Sequence, residues 1–370
     1  MRHPLHALCP YFAMFPESFV KRHVLAHTAA GDRVFDPFSG RGTTVLQSLL
    51  MGRQAAGTDI NPVAYTISAA KAETPRLSNV LSELHRLEAA YLSIVSPEPP
   101  EEKRHLPVFF GRASYRTTLY ELLFLRKALN WRRGRVHRFI AALLLGILHG
   151  EMDRSRRYLS NQMPRTISPK PNYSLSYWRK RGLWPKKKNA FQMLRDEARS
   201  RLSLGSPVNQ GSVKLADARQ AASQFPDLAG TVSCFVTSPP YFNVTDYGED
   251  QWLRLWFLGG SPKPTYGAVS KDDRHGRKES YWRFLSEAWA GIADLAGPKA
   301  VLVCRLGGKS MTAAELTQGI TQSLRAAFPH ARMLSAPKRS ALRRPQTRTF
   351  RPGAVGCRFE VDYQFSLHGR

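Results

Sequence analysis

The stretch Asp36-Pro37-Phe38-Ser39-Gly40-Arg41-Gly42-Thr43-Thr44 follows a strand-like segment, Arg33-Val34-Phe35, and leads into a run with helical character, Thr43–Met51. A second strand-like segment, Gln54–Thr58, comes next and ends on Asp59. Strand, glycine turn, helix and strand make a βαβ unit, so the fold class is α/β. Glycines in such a turn let the backbone bend tightly and approach a ligand, and the helix start offers free N–H groups to an anion. Asp59 stands about 20 residues on, where a carboxylate accepts hydrogen bonds from ribose hydroxyls. The three features in register predict a nucleoside-cofactor site; the alternative is a turn needed only for packing. The spacing is not the GxGxxG of nicotinamide enzymes.

Outward from this unit the chain divides by composition. Residues 1–95 carry the βαβ unit, and the Pro-containing stretch Ser96-Pro97-Glu98-Pro99-Pro100 marks a boundary. Residues 96–206 read as a basic, mainly helical insertion, with helices predicted over Thr117–Asn130, Arg135–Gly150 and Asn189–Leu202. The βα rhythm returns over 207–370: strands at Ser212–Ala216, Thr231–Thr237, Ala300–Arg305 and Arg358–Ser366, helices at Ser280–Ala296 and Ala313–Ala327. No internal repeat interrupts this order.

Charge narrows the partner. The 370 residues carry a formal net charge of +27, although the hydrophobic share of 42% and charged share of 22% are ordinary. Charge of one sign repels itself, so an excess this large points to a polyanion. The longest apolar run, Phe139–Leu148, is too short to cross a bilayer, and the N-terminus shows no signal-peptide core, which implies a cytoplasmic protein without a membrane partner. Cys9, Cys234, Cys304 and Cys357 lie far apart with no CxxC pair, which predicts no metal site and no disulfide framework.

The second decisive stretch is Thr237-Ser238-Pro239-Pro240-Tyr241, at the end of a predicted strand. Together with the glycine turn it resembles the DNA amino-methyltransferases, which modify N4 of cytosine or N6 of adenine. Asp36-Pro37-Phe38-x-Gly40-x-Gly42-Thr43 is similar to their motif I, and Ser238-Pro239-Pro240-Tyr241 to their motif IV. The resemblance covers residues 8–70 and 211–260. It implies a Rossmann-like sheet binding S-adenosylmethionine, with Asp36, Pro37, Phe38, Gly40, Gly42, Thr43 and Thr44 around the methionine end and Asp59 with Ile60 at the ribose. It further implies that Tyr11, Phe12 and Phe15 cover the methionine end and that Asp217 faces the adenine amine. A staple for the helix starting near Glu17 and a helix N-cap are the plainer readings of these two elements.

The chemistry matches motif IV. An exocyclic amine on cytosine or adenine has its lone pair delocalised into the ring and is a poor nucleophile. Ser238 Oγ and the Pro239 carbonyl can accept its two hydrogens and draw the nitrogen toward sp³ geometry. Prolines hold such acceptors rigidly because their φ is fixed. Tyr241 would offer a face to an extruded base. Serine at the first position resembles the cytosine-N4 members, whereas adenine members usually carry Asp or Asn. Methylation at cytosine C5 is disfavoured, since no Pro-Cys nucleophile is present. Methylation of adenine N6, which uses the same chemistry, is the first alternative; an RNA-amine methyltransferase and a non-catalytic DNA-binding protein are the others.

Double-stranded DNA is the expected partner, with a cognate restriction endonuclease acting separately as a possible companion. Arg165, Lys170, Arg179, Lys180, Arg181, Lys186, Lys187 and Lys188 are the expected phosphate contacts, interleaved with Tyr158, Tyr173, Tyr177, Trp178 and Trp184. A second basic loop, Lys338 to Arg351, is expected to join them. Asp246–Asp250 reads equally as part of a base pocket or as a cap for the helix near Gln251.

Overall fold

The computed structural model describes residues 2–11, 15–94, 98, 100–152, 157–164, 168–244, 247–265, 277–342 and 356–367. The chain forms two compact units. One, the sheet unit, comprises Tyr11–Glu73, Pro207–Asp246 and Gly267–Arg370; the other, the helical unit, comprises Met1–Pro10, Thr74–Ser206 and Tyr247–Tyr266.

The strands of the sheet unit are β1 (Arg33–Asp36), β2 (Gln54–Asp59), β3 (Ser212–Leu215), β4 (Val232–Thr237), β5 (Ala296–Gly308), β6 (Arg332–Met333), β7 (Lys338–Ala341) and β8 (Phe359–Ser366). Their order is β3-β2-β1-β4-β5-β8, with β6 and β7 both pairing to β8. β1 to β5 are mutually parallel, and β8 runs antiparallel to β5. The order runs outward from β1 to β3, then resumes at β4 on the other side of β1. That is a doubly wound α/β sheet with its switch point between β1 and β4.

Both faces of the sheet are covered, as parallel strands require. Phe35, Phe235, Leu302, Tyr281, Trp289 and Ile320 fill one side, beneath the helices Lys278–Ala293 and Ala313–Arg325. Val34, Cys234, Val236 and Val303 meet Phe19, Val20 and Val24 of the helix Glu17–His27 on the other. Alternation along β1 and β4 thus sends successive residues to opposite cores. All four cysteines are buried and free.

β5 extends well beyond the predicted Ala300–Arg305. β8 pairs with it through Gly307 and Gly308, residues with no apolar signal of their own. β7, Lys338-Arg339-Ser340-Ala341, lacks the pattern of a buried strand and forms because β8 offers it an open edge.

In the helical unit the helices Arg116–Ala128, Arg135–Ile147 and Ala190–Arg201 lie within a few residues of expectation, and Asn189 caps the last by accepting the Gln192 N–H at 2.7 Å. The helix Leu77–Ile94 was expected with the sheet, inside 1–95. It belongs to the helical unit, because its stripe Val80, Leu84, Leu87 and Tyr91 is buried there and Glu88 pairs with Arg195 at 2.5 Å. The division between the units therefore falls after Glu73, and residues 74–206 belong to one unit. Residues 247–266 return to it as well: Trp252 Nε1 donates to the Pro169 carbonyl at 2.7 Å, and Arg254 to the carbonyls of Leu145 and Pro10. Among the described residues no helix is long and apolar enough to cross a membrane.

Candidate functional site

Four parallel strands bring their C-terminal ends to one edge of the sheet. β1 ends on Asp36, β2 on Asp59, β3 just before Asp217, and β4 on Thr237, which leads into Ser238. Thr237 Oγ1 donates to Asp36 Oδ1 at 2.6 Å, so the two decisive stretches, 201 residues apart, meet at the switch point. Ligands of open α/β sheets bind at such a crevice.

The glycine turn is held from several sides. Ser39 N–H donates to the Thr58 carbonyl at 2.9 Å, and Thr58 Oγ1 donates to the Pro37 carbonyl at 2.9 Å. Buried Lys71 gives its ammonium to the Arg41 carbonyl at 2.6 Å. Gly42 has φ +72°, and a Cβ there would lie 2.8 Å from Ser68 Cα, so it is demanded by the packing of helix on helix. The helix Thr43–Leu50 starts with no side-chain cap, which leaves the first-turn N–H groups without a side-chain acceptor.

Asp59 accepts the Gly40 N–H at 2.8 Å on one oxygen and the Asn61 N–H at 2.9 Å on the other. Each oxygen keeps a lone pair for a further donor. Loss of water around the carboxyl pushes its pKa up to about 7, against the pull of both N–H groups. Burial likewise lifts Asp36 to about 6, with Thr237 and the Phe38 N–H opposing. Ile60 beside Asp59 is 58% exposed, an apolar surface next to an acceptor. Tyr11 lies near Gly40: a Cβ on that glycine would stand 3.9 Å from Tyr11 Cε1.

At the end of β4, Ser238 Oγ donates to the Arg305 carbonyl at 3.0 Å. Tyr241 packs so closely on Gly307 that a Cβ there would lie 2.2 Å from its ring, and its hydroxyl donates to Glu360 Oε1 at 3.0 Å. Burial pushes that hydroxyl well above the ordinary range for tyrosine. The ring is only 7% exposed, so it braces the turn and presents little face to a base. Arg305 closes the network, reaching Asp362 with two nitrogens at 2.6 and 2.9 Å and Glu360 at 3.2 Å. Its guanidinium also sits 4.2 Å from the Phe19 ring centroid.

Several expected contacts have other occupations. Phe15 is buried against Phe19 at 5.1 Å, and Phe38 packs on Phe284 and Trp289, so both rings belong to the cores. Thr44 Oγ1 donates to the Val236 carbonyl, and Thr43 Oγ1 accepts from Arg41. Asp217 caps the 3₁₀ turn Ala218–Gln220 and pairs with Arg219 at 2.8 Å, its plainer reading. Phe12 lies outside the described residues, as do Arg165, Asp246 and the segment 343–355.

In the helical unit Arg179, Lys180, Arg181, Lys186 and Lys187 are exposed. Lys170 is exposed too, and pairs with Glu249 at 3.3 Å. Lys188 departs from expectation, since its ammonium donates to the Tyr158 carbonyl and burial lowers its pKa. Its N–H and carbonyl both bond Thr118 Oγ1, which makes it a tie within the unit.

Lys71, Arg305, Glu360 and Asp362 carry no motif and were not anticipated. The available signals were faint: a lysine in the apolar run Pro62–Ala72, and the two acids Glu360 and Asp362 on one side of the alternating run Phe359–Ser366.

Residues 3–70 match the family model described as DNA methylase, of the N6/N4 type. The orphan methyltransferase M.BamHII of Bacillus amyloliquefaciens is 45% identical over 49 residues, 13% of this chain and 18% of that protein. The type II methyltransferase M.MjaII of Methanocaldococcus jannaschii is 36% identical over 67 residues, 18% of this chain and 13% of that one. The type II methyltransferase M.MvaI of Kocuria varians is 40% identical over 55 residues, 14% and 12% of the two chains. The matches thus span less than a fifth of these relatives. Across the segment 3–70, which holds the Asp36–Thr44 turn and Asp59, the chain is similar to DNA amino-methyltransferases.

Proposed function

We propose that this protein is a DNA methyltransferase that moves a methyl group from S-adenosylmethionine to the exocyclic N4 amine of a cytosine. The observation that carries the reading is the bond from Thr237 Oγ1 to Asp36 Oδ1, which joins the Ser238-Pro239-Pro240-Tyr241 turn to the glycine turn at the switch point.

The donor set fits the cofactor. Asp59 keeps acceptors for ribose hydroxyls, exposed Ile60 offers an apolar surface for the adenine ring, and the uncapped helix Thr43–Leu50 suits a carboxylate. When bound, the cofactor supplies an electrophilic methyl on a sulfonium. Ser238 spends its one proton on the Arg305 carbonyl, so its lone pairs are left to accept from an amine. The Pro239 carbonyl would accept a hydrogen bond from the second amine hydrogen, and the nitrogen that gains the methyl would release one proton to solvent. A base must leave the stack to reach this turn, which is base flipping. The exposed cations from Arg179 to Lys187 would hold phosphates.

Serine rather than Asp or Asn at residue 238 favours cytosine over adenine. The test is mass spectrometry of nucleosides from duplex DNA methylated by the purified chain. N4-methylcytosine is expected. N6-methyladenine would move the target while keeping the chemistry, and 5-methylcytosine or product in RNA alone would overturn the reading.

A further inference from the structure

The helical unit carries exposed aromatic side chains that have no part in the roles given above. Trp184 is 68% exposed, and the Arg112 guanidinium lies 3.4 Å from its ring centroid. Nearby in sequence, Arg181 lies 4.0 Å from the Tyr177 ring, and Tyr177 lies 6.4 Å from Tyr173, itself 65% exposed. Arg112 also lines an open surface cavity of about 360 Å³ with Lys103 and Arg179, walled by Leu106, Val108 and Phe110. No acid lines that cavity, and residues 170–188 hold seven cations and no acid. Arg112 Nε has no hydrogen-bond partner among the described residues, so no carboxylate accounts for its position under the indole.

Large rings left in water beside uncompensated cations suit a ligand that is flat, π-rich and anionic. An apolar protein surface would leave the cations unpaired. Duplex DNA satisfies them through phosphate but keeps its base faces inside the stack. A strand with unpaired bases satisfies both, since every base has a π-face and every link a charge. Resting on the DNA-binding reading above, we propose that Trp184, seated on Arg112, is a stacking site for an unpaired DNA base, with Arg112, Arg179 and Lys103 taking adjoining phosphates.

The experiment is equilibrium binding of the full chain to a mixed-sequence single-stranded oligodeoxynucleotide and to the duplex of the same length, over a range of salt. Trp184→Ala is expected to weaken single-strand binding by about five- to 150-fold. The slope of log affinity against log salt should not move, because every cation that neutralises a phosphate is still in place. Duplex affinity should stay within about twofold of wild type, and Trp184→Phe should recover most of the single-strand affinity. Single-strand affinity unchanged in Trp184→Ala, or equal weakening on both DNAs, overturns the proposal. Methyl transfer by the wild-type chain is measured separately. Its absence would count against the methyltransferase reading and leave the stacking result standing.

Discussion

Ser238 Oγ donates to the backbone carbonyl of Arg305 at 3.0 Å, across the junction of β4 and β5. A free serine hydroxyl rotates and can offer either its proton or its lone pairs; this one donates to the Arg305 carbonyl and lies in hydrogen-bond reach of the Tyr241 hydroxyl, so a lone pair is what it has left to offer an incoming amine. The same Arg305 uses its side chain to hold Glu360, which holds Tyr241, so one residue steadies the Ser238–Tyr241 turn at both ends.

Ser238→Ala removes that acceptor and leaves the Pro239 carbonyl alone. Single-turnover methyl transfer should fall by about ten- to 100-fold, the cost of one hydrogen bond of about 1.5–3 kcal/mol. S-adenosylmethionine affinity should hold, since Ser238 has no part in that cradle. A wild-type transfer rate in this variant would show that the hydroxyl is dispensable.

Arg305 and Asp362 are a buried pair with bidentate geometry, with side chains 11% and 9% exposed. Asp362→Ala leaves the guanidinium with Glu360 only, and should lower unfolding free energy by about 3–5 kcal/mol. Urea denaturation monitored by circular dichroism measures it. A decrease below about 1 kcal/mol would mean that the pair behaves as an exposed one.

Asp36 and Asp59 titrate near 6 and 7 in the folded chain, against 3.8 when unperturbed. The folded state therefore binds more protons between about pH 4 and 7, and stability should fall as pH rises through that window. Ribose hydroxyls are best accepted by ionised Asp59, so cofactor affinity should rise with pH through about 7 and level above about 8. Asp59→Asn should flatten the affinity profile and leave the share of the stability profile that Asp36 contributes. Calorimetric titrations at about pH 6 and 8 that gave equal wild-type affinities would contradict this.

Gly42→Ala forces a side chain into a left-handed backbone position and against Ser68. A destabilisation of about 1–3 kcal/mol is expected from overpacking alone. Thermal melts of the purified variant check it, and an unchanged melting temperature would place the helix Pro62–Ala72 further away than it stands here.

Neutralising Lys186 and Lys187 together should weaken duplex binding and flatten log affinity against log salt by up to roughly 0.9 for each phosphate no longer neutralised. Lys188→Ala should act differently, lowering stability because the tie to the Tyr158 carbonyl is removed. Salt titrations of both variants separate the two roles.

The α/β class, the glycine turn, Asp59 and the Ser238–Tyr241 turn were legible in the sequence because each is local. A strand followed by glycines and an amphipathic run declares itself within roughly 25 residues, and a Pro-Pro pair fixes its own backbone. Helix ends in the helical unit came out within a few residues for the same reason. The residues that steady the site were not legible. Arg305 meets Ser238 across 67 residues and Asp362 across 57, and only strand order makes them neighbours.

What the sequence determined by itself was the chemistry on offer: which acceptors, which rigid turns, and how much positive charge. Tertiary structure decided which side chains face a ligand and which face the protein. Phe15, Phe38, Tyr241 and Lys188 were sensible candidates by type, and each is turned inward by packing or by a backbone carbonyl that needed a donor. The extent of β5 and the membership of the helix Leu77–Ile94 were settled the same way, because a strand lengthens where a partner edge exists and a helix goes where its apolar stripe is buried. Composition records how much surface must be covered, but only the folded chain fixes what covers it.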